Sequence, residues 1–243
     1  MAIEALSYVL YVPGDMHIGT GMGLPGLIDE HIVRDHRGFT YVPGSHIKGL
    51  VRDSCVQLLN YLGKLKDICQ GQRDRLEDKD LPYGLCGFLG QSPCVICAIF
   101  GSPATPAGFW FSPAEYEPDY RNAVREADPS LAWRDMFTSA HAAIDPQTKR
   151  AAEYQLFSLE VARPVAAFRG RIEPLPALTE AKVNETELLG WLTASLLFTR
   201  HLGGRRRRGW GRCRFELDQS EPSTVASLAA LRELLKEGDD GGS

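Results

Sequence analysis

The chain predicts an α+β domain of the split β-α-β, ferredoxin-like kind, and two observations predict it. The coarse order of elements runs strand, strand, helix, irregular insertion, strands, helix, strand, followed by a short C-terminal helix. The composition also fits. With 243 residues, 44% hydrophobic and 24% charged, there is ample material for a core and no bias toward a fibrous or disordered chain.

Each element has its own signal. Residues 5–12, "ALSYVLYV", are an apolar, strand-like run, and residues 14–26 a glycine-rich loop. "LIDEHIVRD" alternates loosely enough for a short strand, and after a turn at "HRG" the run "FTYVP" predicts another. The clearest helix follows, with Ser45 as its expected N-cap after the Pro43-Gly44 turn. Ile47, Val51, Leu58 and Leu62, helped by Leu50 and Leu59, form its apolar stripe. Residues 66–120 mix Pro, Gly and charge clusters and read as an insertion. "FSLEVARPVAAFRGRIE" predicts strands interrupted at Pro164. A second helix is expected from Glu185 to Leu202, opened by an Asn184/Glu187 capping box and stopped by Gly203 and Gly204. "RCRFELD" gives a last strand and "STVASLAALRELLKEG" an amphipathic helix.

No apolar run is long enough to span a bilayer, and the start "MAIEALSYVL" lacks the basic flank of a secretory signal. A cytoplasmic protein with no membrane partner is therefore expected. Six cysteines in a reducing compartment suggest metal ligands rather than disulfides. The net charge of −4 argues against nucleic acid, but its distribution does not. Arg200, Arg205 to Arg208, Arg212 and Arg214 fall in one stretch without an acid, while acids collect in "DRLEDKD", "EYEPDY" and "KEGDD". Local fields decide whether a polyanion docks.

Gly21, Gly23 and Gly26 spell G-x-G-x-x-G after a strand-like run. A dinucleotide site needs a helix to open at that point, so that the pyrophosphate meets its N-terminus. Pro25 lies inside the motif and the following segment is strand-like, so the glycines need another purpose.

Two segments carry cations where a phosphate could bind. Lys48 and Arg52, one helical turn apart and near a helix start close to Ser45, make either an anion site or a solvated basic face. "GGRRRRGWGR" is the stronger signal. Gly203, Gly204 and Gly209 let main chain approach a phosphodiester, and Arg205, Arg206, Arg207 and Arg208 supply bidentate donors. Trp210 offers a stacking surface for an unpaired base. Cys86, Cys94 and Cys97 stand near zinc-ligand spacing; three buried thiols are the plainer reading.

"GDMHIGTGMGLPGLIDEHIVRD", "YVPGSHIKGLVRD", "CVICAIFGS", "AIDPQTKRAAEYQLF" and "GGRRRRGWGR", in this order, resemble the RAMP superfamily of CRISPR proteins. Within it the chain is most similar to the backbone subunits of type III (Csm/Cmr-like) effector complexes. The resemblance implies an RRM-like core spanning residues 1–243, a zinc-stapled lid within 66–120 and a β-hairpin thumb at 135–160. It implies binding to guide RNA and target RNA, and assembly with copies of itself and other CRISPR effector subunits. Asp29 would be the aspartate that cleaves target RNA with Mg²⁺, as an endoribonuclease of antiviral defence; an ordinary loop carboxylate is its alternative. His17 would contact RNA or brace the loop, and Asp35 would close a turn with Arg34. Cys69 would complete the zinc site, with His46 and His17 as rivals. The family usually has a small residue or serine where this chain has His46. A non-cleaving RNA-binding subunit and a guide-processing ribonuclease are the other readings.

Overall fold

The computed structural model describes residues 4–23, 28–64, 68–69, 86, 92–145, 147–177, 184–218 and 222–239. Strand β1 (Leu6–Tyr11) lies inside an antiparallel sheet between β6 (Phe168–Pro174) and β7 (Arg214–Leu217), and β2 (Phe109–Phe111) and β3 (Glu115–Tyr116) both pair with the far side of β6. The order β7-β1-β6-β2 places β6 between β1 and β2, which helix α1 (Gly44–Tyr61) connects, so the β-α-β unit is split as expected. Helix α4 (Glu185–Phe198) joins β6 to β7. The remaining α-helices among the described residues are α2 (Val95–Phe100), α3 (Pro118–Ala127) and α5 (Pro222–Asp239).

Register follows from the two-residue period of a strand. Leu6 faces Ile172, Leu10 faces Phe168 and Phe215, and Tyr8 faces Leu217, and all of these side chains are buried. Ile47, Val51 and Leu59 of α1 and Leu188, Trp191, Leu192 and Leu196 of α4 join them in one core. Each fully buried aliphatic or aromatic side chain contributes roughly 1.5–3 kcal/mol, so the sheet and its helices form the rigid base for what projects from it.

What projects is a two-stranded hairpin, β4 (Met136–Ile144) with β5 (Ala151–Ala162), which forms a sheet of its own. Asp145 shapes its turn by accepting from the Gln147 and Thr148 N–H groups. Pro146, half of the expected turn pair, lies outside the described residues. Pro164 separates β5 from β6, as the sequence requires.

Several expectations give way. Ser45 is not the N-cap of α1: Pro43 holds that position, and Ser45 sits exposed within the first turn. The helix starts early because Gly44 packs on the main chain of β2, where a Cβ would fall 2.0 Å from the Phe111 oxygen. Helix α4 ends at Phe198 rather than Leu202. Thr199 turns extended there, its hydroxyl donating to the Ser195 carbonyl and meeting the Ser54 hydroxyl of α1 at 2.8 Å. Asn184 does cap α4, accepting from the Thr186 and Glu187 N–H groups. "LIDEHIVRD" and "FTYVP" form isolated bridges, not regular strands, because their partners are scattered over the 16–19 loop, β5 and Ala114. Of the stretch read as insertion, residues 95–116 belong to the core: Ile96, Ile99, Phe100, Phe109 and Phe111 are buried there. No helix among the described residues is long and apolar enough to cross a membrane.

Candidate nucleic-acid interface and metal centre

The arginine–glycine loop is pinned at its neck and lifted at its tip. The Leu202 N–H donates to the Gly211 carbonyl at 2.8 Å, and the Gly211 N–H to the Asp15 carbonyl at 2.7 Å. Gly203 has φ +69, and a Cβ there would fall 2.3 Å from the His17 oxygen, so only glycine fits. Its N–H donates to His46 Nε2 at 2.9 Å, and the Gly204 N–H donates to the His17 carbonyl at 2.9 Å. Gly203 is thus spent on anchoring the loop rather than on stopping α4.

Arg205 to Arg208 are all exposed, and among the described residues no carboxylate pairs with any of them. Arg205 is left-handed at φ +58, a conformation uncommon for any residue but glycine. Arg206–Arg208 form a short 3-10 turn closed by Gly209. The tip leans on the hairpin: the Arg205 guanidinium stacks 4.7 Å above Phe157, and Arg208 hydrogen-bonds His141. His141 in turn lies 5.6 Å from Phe157 and 5.5 Å from Trp210. Trp210 is half-buried against His141, whose ring also borders Phe157, so the three rings form one aromatic patch. The sequence marked Phe157 as scaffold. Its half-buried aromatic position facing an arginine loop becomes visible only once β5 and the loop meet.

Lys48 stands in the second turn of α1 and Arg52 one turn further along, and the helix carries no acid in its first turn. Burial, and then the Arg52 charge, push the Lys48 ammonium below its ordinary range. Two like charges this close favour an anion between them. The tip is within electrostatic reach of this helix end. Burial first, and Arg206 second, lower His46, which keeps its imidazole neutral and able to accept from Gly203.

That bond has a pH signature. The unfolded imidazole takes up a proton near 6.5, whereas the folded one resists it. Stability is therefore complete above 6.5 and falls as pH drops below it. Melting curves from pH 7.5 to 5.5 should show this loss, on the order of 1 kcal/mol for one hydrogen bond. His46→Gln, which keeps an acceptor but does not titrate, should flatten that part of the profile. An unchanged pH profile would remove His46 from the account.

Between these elements lies a cleft of about 280 Å³ bounded by His17, Gly19, Glu30, His46, Gly203 and Gly204. Buried His17 spans it. Its Nδ1 meets the Glu160 carbonyl at 2.6 Å and its Nε2 the Glu30 carboxylate at 2.8 Å. Both ring nitrogens thus face oxygen atoms, which fixes the ring's orientation across the cleft. The Glu160 carboxylate receives Arg34 at 2.8 Å and the Ile32 N–H at 3.1 Å, and His31 Nδ1 lies 3.0 Å away. Glu30 and Glu160 were not legible as site residues, although one acid within the apolar run "LFSLEVA" of β5 is itself a signal. Arg34 therefore serves Glu160, not Asp35. Asp35 closes its turn alone, accepting from the Arg37 and Phe39 N–H groups, and pairs with Arg121.

Asp29 is exposed at the rim. Its Oδ2 accepts from the Ser158 N–H at 2.6 Å and the Ser158 hydroxyl at 3.3 Å, which fixes the carboxylate against β5. Gly23 is required opposite it, since a Cβ there would fall 2.1 Å from the Asp29 carbonyl. Glu30, and not Asp29, contacts His17. The glycines therefore thin a loop beside these acids, and among the described residues α1 at Gly44 is the first helix after β1, which argues against the dinucleotide reading. Pro25 and Gly26 lie outside the described residues.

The structure gathers Cys69, Cys86, Cys94 and Cys97, with all four sulfurs within 4.8 Å of one another. Cys69 and Cys97 Sγ are 3.9 Å apart, close to the roughly 3.8 Å edge of a tetrahedron with Zn–S bonds of about 2.3 Å. Hydrogen bonding from Cys97, against burial, brings the Cys94 thiol down to about 5, so a thiolate is favoured before any metal arrives. The donor set fits zinc. The rivals His17 and His46 are engaged at the glycine cleft instead. Elemental analysis should find about one zinc per chain. Cys94→Ser should release it and lower the melting temperature by about 5–10 °C; retention of both would mean that the thiols are merely packed.

The sequence model described as RAMPs, the RAMP superfamily, matches residues 9–214. The chain belongs to the RAMP superfamily. No curated protein sequence matches it. Among solved structures, this RAMP chain is similar to one in the "Type III-B Cmr-beta" complex in its apo state by cryo-EM. The identity is 12% and the TM-score 0.53, over 89% of this chain and 98% of that one. A second match is to the Type III-B Cmr-beta complex bound to cognate target RNA, at 12% identity and TM-score 0.55 over the same shares. At that identity the likeness is one of fold, spanning nearly the whole of both chains.

Proposed function

We propose that this RAMP protein is a guide-RNA-binding backbone subunit of a type III CRISPR effector complex that also cleaves the paired target RNA. One observation carries the reading: four exposed arginines, without acid partners among the described residues, ride a glycine-anchored tip against Phe157, His141 and Trp210. Guanidinium groups beside stackable rings are what single-stranded RNA requires. Lys48, Arg52 and Ser45 at the start of α1 extend the phosphate track, and His17 holds the loop in place. Supporting this, a fold neighbour of the chain comes from a complex described as bound to cognate target RNA. Contacts of this kind position RNA without reading its bases, so specificity comes from guide–target pairing. The β4–β5 hairpin serves as the thumb, and the four cysteines staple a zinc-bearing lid.

Cleavage falls to Asp29. The target 2′-oxygen attacks the adjacent phosphorus, the 5′-oxygen leaves and takes a proton from water, and a 2′,3′-cyclic phosphate and a 5′-hydroxyl result. Ser158 engages Oδ2, which leaves Oδ1 to take the 2′-proton or to hold a divalent ion. Among the described residues the cysteines are the one cluster of three or more ligand groups. Mg²⁺ here would therefore rest on a single carboxylate and RNA phosphates, which suits an ion that keeps much of its water.

Size-exclusion chromatography with guide RNA of increasing length tests the reading. Assembly should grow with RNA length, whatever its sequence. A one-to-one complex that forms only on a fixed repeat sequence would identify a guide-processing ribonuclease instead.

A further inference from the structure

The arginine-rich stretch divides in two. Arg205 to Arg208 occupy the tip, whereas Arg200, Arg212 and Arg214 sit at the neck and line a separate groove of about 570 Å³. Its other walls are Tyr11 and Pro13 at the end of β1 and the Pro164–Ala167 connection. It shares no lining residue with the glycine-loop cleft.

The chemistry of this groove is specific. No carboxylate lines it, and among the described residues neither Arg200 nor Arg212 enters an ion pair. Both are exposed. The Arg214 guanidinium lies 5.0 Å above the Tyr11 ring, with Nε bonded to Glu216 at 2.8 Å. Tyr11 is 37% and Val165 65% exposed, so an apolar floor is open beside uncompensated guanidinium charge. Solvent alone is a poor partner for that combination. A nucleotide suits it, with its phosphodiester on Arg200 and Arg212 and its base on Tyr11 and Pro164.

We propose that the neck groove is a second RNA-binding site, holding a nucleotide of the single strand beyond the segment gripped by the tip. This rests on the RNA-binding reading of the tip. Strand β7 is a sheet edge, so an added protein strand is the competing occupant.

The test compares Arg200→Glu/Arg212→Glu with a tip variant, Arg206→Glu/Arg207→Glu, on unstructured RNA of about 6 and about 24 nucleotides. The neck variant should bind the short RNA like wild type and the long RNA about tenfold more weakly, with a salt slope shallower by about 1. Equal binding of both lengths by the neck variant and wild type would overturn the proposal, as would an equal loss on both. So would RNA-free self-association, seen by sedimentation, that the neck variant alone abolishes. The tip variant should weaken both lengths. If it does not, the reading of the tip fails, and that result is separate from the neck comparison.

Discussion

Replacing Arg206 and Arg207 by glutamate lowers affinity for single-stranded guide RNA by about 100-fold near physiological salt. These two are chosen because Arg205 stacks on Phe157 and Arg208 bonds His141, whereas Arg206 makes only a long 3.4 Å Nε bond to the Gly203 carbonyl within its own loop. Each lost phosphate contact removes about 0.7 from the slope of log affinity against log salt, so the slope should flatten by about 1.4. Reversed charge adds repulsion to that loss. Because both side chains are exposed and without described acid partners, the melting temperature should stay put. A large loss of affinity accompanied by unfolding would point to the anchoring bonds of the neck rather than to RNA contact. Unchanged affinity across a range of salt would remove the loop from the interface.

Asp29→Ala should reduce cleavage of guide-paired target RNA by about 1,000-fold while guide affinity changes less than about twofold. The separation follows from position. Asp29 sits at the rim, held by Ser158, and takes no part in the His17, Glu30 and Glu160 network that braces the glycine loop. Ser158→Ala removes the 3.3 Å hydroxyl bond but keeps the 2.6 Å main-chain one, so it should cost only a few-fold in rate. Cleavage that survives Asp29→Ala at wild-type rate would leave a purely structural RNA-binding subunit.

Features set by short-range chemistry were legible in the sequence. The arginine–glycine run, the cysteine spacing and the Asn184 cap each declare themselves within a dozen residues. The split β-α-β order was legible because its helices are long and periodic. Strand β2 was not, since "FWF" is too short to show alternation and its partner lies far along the chain on β6. The site network was hidden for the same reason: His17 reaches Glu160 across 143 residues, and no local pattern records that. The end of α4 was misread because Gly203 and Gly204 look like a helix stop. Gly203 is needed instead by the close approach of the His17 main chain, whereas Gly204 has room for a Cβ. His46, odd against its family, is explained by the same loop, whose Gly203 N–H needs an acceptor.

Photo-crosslinking of thiouridine-substituted guide RNA, read by mass spectrometry of the attached peptides, tests the interface most directly. The account predicts adducts in residues 200–214, at Trp210 above all, with further adducts near the start of α1 and on the β4–β5 hairpin. Adducts confined to α3 and α5, with none in the arginine–glycine loop, would contradict it.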